Sequence, residues 1–342
     1  MDSIKMRVDM PSINRNTNKK YIRLGGRLFV TGLMFLLFCL PLPAQAKSRS
    51  DYLYNLSSFT GPVASLWSRL AVDEETGEIY SLNRHVSLIQ IFNESSMLVH
   101  SFGEEYQLAS AVDIAAGRNG GVYLIQATAA ERQLMELDYK GALQKTVDLR
   151  NLPAAFLPFA PTRLEFRDGK LYLLDAEALK LVVLTADGAF LKGYRIRELL
   201  MDAAGDDERY QKELAGMDFN GFCVDARGAM YFTAPTSFSA YRMDSDGSIR
   251  GFGRSGSGPG TFGVVAGIDV DSQGTIYVTD RLRSVVIVFD RDFKFVREFG
   301  HRGGLPENLI APDDVVIDER NGKLYVAQAA NRGVSVFRLA DQ

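Results

Sequence analysis

Apolar residues in this chain come in short runs, and turns carrying glycine or aspartate separate them. The clearest unit is Gly-x-apolar-Tyr. It occurs as Gly77-Glu78-Ile79-Tyr80, Gly120-Gly121-Val122-Tyr123, Gly169-Lys170-Leu171-Tyr172, Gly228-Ala229-Met230-Tyr231, Gly274-Thr275-Ile276-Tyr277 and Gly322-Lys323-Leu324-Tyr325. The tyrosines lie 43, 49, 59, 46 and 48 residues apart. Six copies at a period near fifty predict a repeat architecture.

Each copy reads as strands. A short apolar strand comes first and often ends in aspartate, as in Leu70–Asp73, Phe222–Asp225, Ile268–Asp271 and Val315–Asp318. A tight turn follows, where glycine accepts positive φ without a Cβ clash. The tyrosine strand is second. A third strand follows, rich in β-branched and aromatic residues, as in Leu88–Phe92 and Val285–Phe289. A more polar fourth strand ends in Phe-Gly at Phe102-Gly103, Phe252-Gly253 and Phe299-Gly300. Four antiparallel strands repeated six times predict an all-β, six-bladed β-propeller. The sixth repeat stops after its third strand, so residues 51–58 are expected to supply the missing strand and close the ring. Residues 195–217 break the pattern. Ile196, Leu199, Leu200, Tyr210, Leu214 and Met217 take helical spacing there, as a cap over the ring or as packing beside it.

The full unit resembles the NHL repeat. The fifth copy carries the resemblance most fully, from Gly267-Ile268-Asp269-Val270-Asp271 through Gly274-Thr275-Ile276-Tyr277 to Val286-Ile287-Val288-Phe289-Asp290. The glycine-rich stretch Gly253–Phe262 is similar to that family's inter-repeat linker, and Asn331-Arg332 matches its Asn-x-Arg position. The second and third copies depart from the pattern: Ala115 and Arg167 stand where aspartate is usual. The resemblance implies the fold. NHL-type propellers include scaffolds, RNA binders and metal-dependent enzymes, so it leaves activity open.

The first forty-six residues are different in kind. Lys19, Lys20, Arg23 and Arg27 precede an apolar run of 13 residues, Leu28–Leu40, and Ala44-Gln45-Ala46 follows. This predicts a signal peptide cut between Ala46 and Lys47, leaving residues 47–342 as an exported propeller, periplasmic or extracellular. The alternative is a retained anchor, but the run is shorter than the ~20 residues of a comfortable span. Residues 1–46 hold seven of the chain's 39 Lys and Arg but two of its 42 Asp and Glu, so cleavage leaves a net charge of −8. That balance opposes nucleic acid as a partner. Cys223 is then the only cysteine, so no internal disulfide forms.

The propeller reading sorts the loops. First-to-second and third-to-fourth turns share one face, here the turn face. Second-to-third loops and blade-to-blade linkers share the other, the linker face. The long, dissimilar connections all fall on the linker face, and binding residues favour such loops on a rigid scaffold. The candidate partner-binding residues are therefore His85, Arg254, Asp280, Arg281, His301, Arg302, Asp313, Asp314, Asn331 and Arg332. A second candidate set lies in the channel. Asp113, Glu165 and Asp269 are read as one register position, filled elsewhere by Ala71, Cys223 and Val316. Three carboxylates so placed would suit calcium or another hard cation; ordinary polar lining of a water-filled channel is the competing reading. His85, His100 and His301 are too few and too dispersed for a zinc site. No serine nucleophile elbow occurs, and Asp244-Ser245-Asp246-Gly247 lacks the glutamate that completes a calcium loop. The expectation is a protein-binding or scaffold module acting through the linker face. The alternative is a metal-dependent lactonase or lyase using the channel carboxylates.

Overall fold

The computed structural model describes residues 52–58, 61–62, 68–103, 108, 110–129, 131–329 and 333–339. The cleavage position Ala46–Lys47 and the pair Asn331-Arg332 lie outside the described residues. Six four-stranded antiparallel sheets form the blades. Blade 1 comprises Ser68–Asp73, Glu78–Asn83, Leu88–Phe92 and Leu98–Phe102; blade 2 comprises Ala111–Ala116, Val122–Ala127, Arg132–Leu137 and Leu143–Val147. Blade 3 comprises Arg163–Arg167, Lys170–Asp175, Lys180–Thr185 and Phe190–Arg195; blade 4 comprises Phe222–Val224, Met230–Ala234, Ser239–Met243 and Ile249–Phe252. Blade 5 comprises Val265–Val270, Ile276–Asp280, Val285–Phe289 and Phe295–Gly300. Blade 6 takes Pro312–Asp318, Lys323–Gln328 and Val334–Arg338, and completes itself with Tyr52–Asn55.

The repeat glycines do the work expected of them. Gly77, Gly120, Gly169, Gly228, Gly274 and Gly322 all have positive φ, between 61° and 89°. An L-side chain resists that region, so glycine reverses the chain there at least cost. The strand-ending aspartate caps the turn from the other side. Asp225 accepts from the N–H groups of Arg227 and Ala229, and Asp271 from those of Gln273 and Thr275. The tyrosine that follows is buried in every blade. Middle strands are apolar on both faces because each blade packs between two others: all five residues of Val285–Phe289 are buried. Outer strands face solvent on one side, with Val99, Phe295 and Val296 exposed.

Ring closure follows the expected strand, but over a shorter stretch. Tyr52, Tyr54 and Asn55 pair with Phe337, Val336 and Ser335, with a bulge after Tyr52. Leu56 is buried and donates its N–H to the Val334 carbonyl at 2.8 Å. Ser57-Ser58 then leaves the sheet and pairs with Gly61-Pro62. The strand ends early because the chain must travel from the outer edge of blade 6 to the innermost strand of blade 1.

The 195–217 segment forms α1 (Ile196–Ala204) and α2 (Glu208–Ala215). Ile196, Leu200, Ala204, Leu214 and Met217 join the core between blades 3 and 4, with Leu181, Phe232 and Tyr241. Arg197 ties the pair down by donating to the carbonyls of Leu214 and Glu177. These residues pack against blades 3 and 4, and none of them is among those lining the channel. Among the described residues, no helix is long and apolar enough to cross a membrane.

Candidate functional site

The innermost strands line a central channel that encloses about 720 Å³, solvent at its open end included. Pairing with the tyrosine strands sets the level of each lining residue. Opposite the tyrosines themselves stand Ala71, Ala115, Glu165, Cys223, Asp269 and Val316. Two residues nearer the linker face stand Arg69, Asp113, Arg163, Gly221, Gly267 and Asp314, each beside the residue two beyond its tyrosine. Asp113 therefore does not share a level with Glu165 and Asp269, as the sequence pattern implied; Ala115 does. Blade 2 is paired in the same register as blades 4 and 5: Ala116 faces Val122 as Val224 faces Met230 and Val270 faces Ile276, and the bulge between Ala111 and Asp113 lies beyond Asp113 from the turn. Gly117, rather than Ala115, then occupies the place of the strand-ending aspartate. The three-carboxylate set separates into a pair, Glu165 and Asp269, with Asp113 apart. Among the described residues, no group of three or more His, Cys, Asp or Glu is arranged to hold a metal ion.

What the channel side chains do is cross from blade to blade. Asp113 accepts the Leu164 N–H of blade 3 at 2.8 Å. Asp269 accepts the Ile317 N–H of blade 6 at 2.7 Å, and Asp314 the Leu70 N–H of blade 1 at 3.0 Å. Arg163 donates to the carbonyl and side-chain oxygens of Asn220, which leads into blade 4. Thr233 of blade 4 donates to the Ala266 carbonyl of blade 5. Arg69 of blade 1 faces Asp113 of blade 2 at 3.9 Å. Every one of the six blade junctions thus carries a polar crossing at the channel wall. The glycines on this level serve the same end: a Cβ on Gly267 would lie 2.7 Å from the Asp314 Cα, so blades 5 and 6 approach there as only glycine allows.

Burial shapes the charges. It raises the carboxyl of Asp269 to about 7, against the opposing N–H bonds from Val270 and Ile317. It raises Glu165 well above the usual glutamate range, and Asp269 adds to that rise. Asp314 is lifted to about 6 by burial, with Arg69 and the Leu70 N–H pulling the other way.

The linker-face mouth is the most charged part of the channel. Arg69 is buried at 4% exposure and lies 3.8–3.9 Å from Asp113, Asp313 and Asp314. Burial opposes its charge, but those three aspartates outweigh it and raise its pKa. Arg281 reaches Asp313 from the second-to-third loop of blade 5. Arg84, on the corresponding loop of blade 1, is pressed down in pKa by burial and by Arg69. The structure thus joins three of the sequence candidates, Arg281, Asp313 and Asp314. It does not join the rest. His85, Arg254, His301 and Arg302 are exposed on separate loops. Asp280 is buried and accepts the N–H groups of Gly263, Val264 and Arg283, which makes it a loop organiser. Asp175 does the same for Ala160 and Ala178 in blade 3. Arg69 and Arg163 escaped the sequence reading altogether. The signal for Arg163 was the alternation Arg163-Leu164-Glu165-Phe166-Arg167, with charge on every second residue of an otherwise apolar strand.

Comparison with known proteins agrees with this architecture. A family model described as a 6-bladed beta-propeller matches residues 270–342. The chain is a six-bladed propeller. No protein of curated function matches the sequence. A Bacteroides thetaiotaomicron protein of unknown function is similar in structure at a TM-score of 0.57 and 13% identity, covering 80% of this chain and 70% of that one. A streptogramin B lyase is similar at 0.55 and 13% identity, covering 85% and 97%. A calcium-binding regucalcin from Agrobacterium tumefaciens is similar at 0.52 and 16% identity, covering 84% and 95%. At such identities the likeness is one of fold.

Proposed function

We propose that this propeller is an exported, non-catalytic module that binds a partner protein through its linker face. The observation that carries the reading is where apolar side chains are exposed on loops. Val86, Leu157, Phe238, Leu282 and Leu305 stand on linker-face connections, with Leu282 at 70% and Leu305 at 59% exposure. Turn-face loops expose only Met97 and Tyr139 among the described large apolar residues. Apolar projections around a charged centre suit a protein surface, where contact area and orientation come from different groups. The channel carboxylates support the same reading, since Asp113, Asp269 and Asp314 are engaged at blade junctions.

The test is a crosslinking capture from envelope extract, using the chain beginning at Lys47. The wild type and a turn-face Met97→Asp variant should capture the same partner; Leu282→Asp and Leu305→Asp should lose it. Equal capture by the wild type and all three variants would overturn the reading, as would metal-dependent hydrolysis of a lactone by the purified protein. Export is tested by N-terminal sequencing of the native protein, which should begin at Lys47.

A further inference from the structure

Buried polar groups in a folded protein are paired, and an unpaired one is costly. The linker-face mouth breaks that rule in a concentrated way. The Nε atoms of Arg69 and Arg84 are buried without a hydrogen-bond partner, and so is the Nδ2 of Asn220. All three are donors. Arg84 makes no hydrogen bond or ion pair among the described residues, although it is only partly exposed. Burial and the like charges of Arg69 and Arg132 press on it, against Asp113 and Asp313. Arg163, buried at the same level as Arg69, feels Arg69 and Arg84 as like charges and Asp113 and Asp314 as opposite ones, and its own N–H groups donate to Asn220 and Thr162. The unpaired donors, two guanidinium Nε groups and one amide nitrogen, outnumber the unpaired acceptor beside them, Asp313 Oδ2.

From this cluster we infer a carboxylate-binding subsite at the linker-face mouth, centred on Arg84 and backed by Arg69, Arg163 and Asn220. A carboxylate offers two coplanar oxygens that match the guanidinium fork. A more highly charged anion fits less well, because Asp113, Asp313 and Asp314 share the mouth. Arg84 lies on the Asn83–Leu88 loop, on the face whose apolar residues argue for a protein partner. The subsite therefore rests on that functional reading and refines it: the bound group is an acidic side chain or terminal carboxylate of the partner, held at the centre while the apolar loops grip around it.

The probes are succinate, sodium sulfate at matched ionic strength, and a short peptide ending in a free acidic residue beside its amidated, neutral counterpart. Succinate and the acidic peptide should raise the wild-type Tm and bind in calorimetry, with the peptide the tighter. Arg84→Gln should weaken both by at least tenfold. In plain buffer its Tm should equal or exceed that of the wild type, because an unpaired cation has been removed; this shows that loss of binding is not loss of fold. Equal stabilisation by sulfate, or unchanged binding by Arg84→Gln, would overturn the subsite. Succinate binding without peptide binding would overturn the partner-borne source and assign the site to a free small acid. The capture experiment with Leu282→Asp reads the partner surface separately, so the subsite and the surface fail or stand independently.

Discussion

On the turn face, six glycines at positive φ launch six tyrosine strands in the same way. On the linker face the blade-to-blade connections vary: one is a helical pair, two are alike, glycine-rich loops bridged at Ser255–Phe262 and Arg302–Leu309, and one carries a 3₁₀ turn at Ala154–Phe156. The difference teaches where constraint lies. A turn that only reverses the chain has one economical solution, and the repeat returns to it. A linker that crosses from an outer strand to the next inner strand has many solutions, and this chain uses several. The channel between the two faces grades from one regime to the other, with junction-forming side chains throughout and, among the described residues, unpaired polar atoms of Arg69, Asn220 and Asp313 at the linker end.

The comparison is tested hardest by removing the closing strand. A chain beginning at Phe59 loses Tyr52–Leu56, and its thermal melt should drop by roughly 10 °C or more, because blade 6 is left with an open edge. An unchanged melt would show that closure is not what holds the ring. Next comes a junction. Asp113→Leu strips the Leu164 N–H of its acceptor and leaves Arg69 short of a charge partner, a loss of about 3–5 kcal/mol by denaturant titration. A loss under 1 kcal/mol would remove the junction role from Asp113. The turn face is probed by Gly228→Val. Its φ is 78°, and a Cβ there meets only the Tyr172 hydroxyl at 3.8 Å, so the cost is conformational. About 1–3 kcal/mol is expected.

The channel itself should respond to pH. Asp269 is raised from 3.8 to about 7 on folding, so the folded state holds that proton more tightly than the unfolded chain. Stability from it is fully present below the ordinary aspartate range and is lost as pH rises through about 7. Asp314, raised to about 6, acts in the same direction. Differential scanning should show Tm falling by a few degrees from pH 5 to pH 8, and the Asp269→Asn variant should flatten the fall. A rising Tm over that range would contradict the burial of these groups. The smallest effect belongs to the linker face. Gly258→Ala has no atom within 4 Å of the new Cβ and should change stability by less than about 0.5 kcal/mol. A change as large as that of Gly228→Val would erase the distinction between the faces.

Much of the site was hidden for a reason that single residues make plain. Glu165 and Asp269 were legible because each stands opposite a repeat tyrosine, although the turn of blade 3 is tighter than that of blade 5. Asp113 was misplaced because Gly117, not an aspartate, ends the inner strand of blade 2, so no residue marked that end and the strand was read two residues too early. Arg69 and Arg163 meet the carboxylates of other blades only through the closed ring; Leu70 and Asp314 are hydrogen-bonded across 244 residues of chain. No local spacing encodes such a meeting.

The sequence by itself determined the number of blades, the phase of their strands and the strand that closes the ring. These follow from local rules: positive φ demands glycine, a two-sided blade demands apolar runs, and a missing partner strand must come from elsewhere in the chain. The tertiary structure alone decided which charges share a level, which carboxylates serve the blade junctions and which guanidinium Nε groups are left without a hydrogen-bond partner. Those outcomes depend on distances between strands from different blades, and the closed ring sets them.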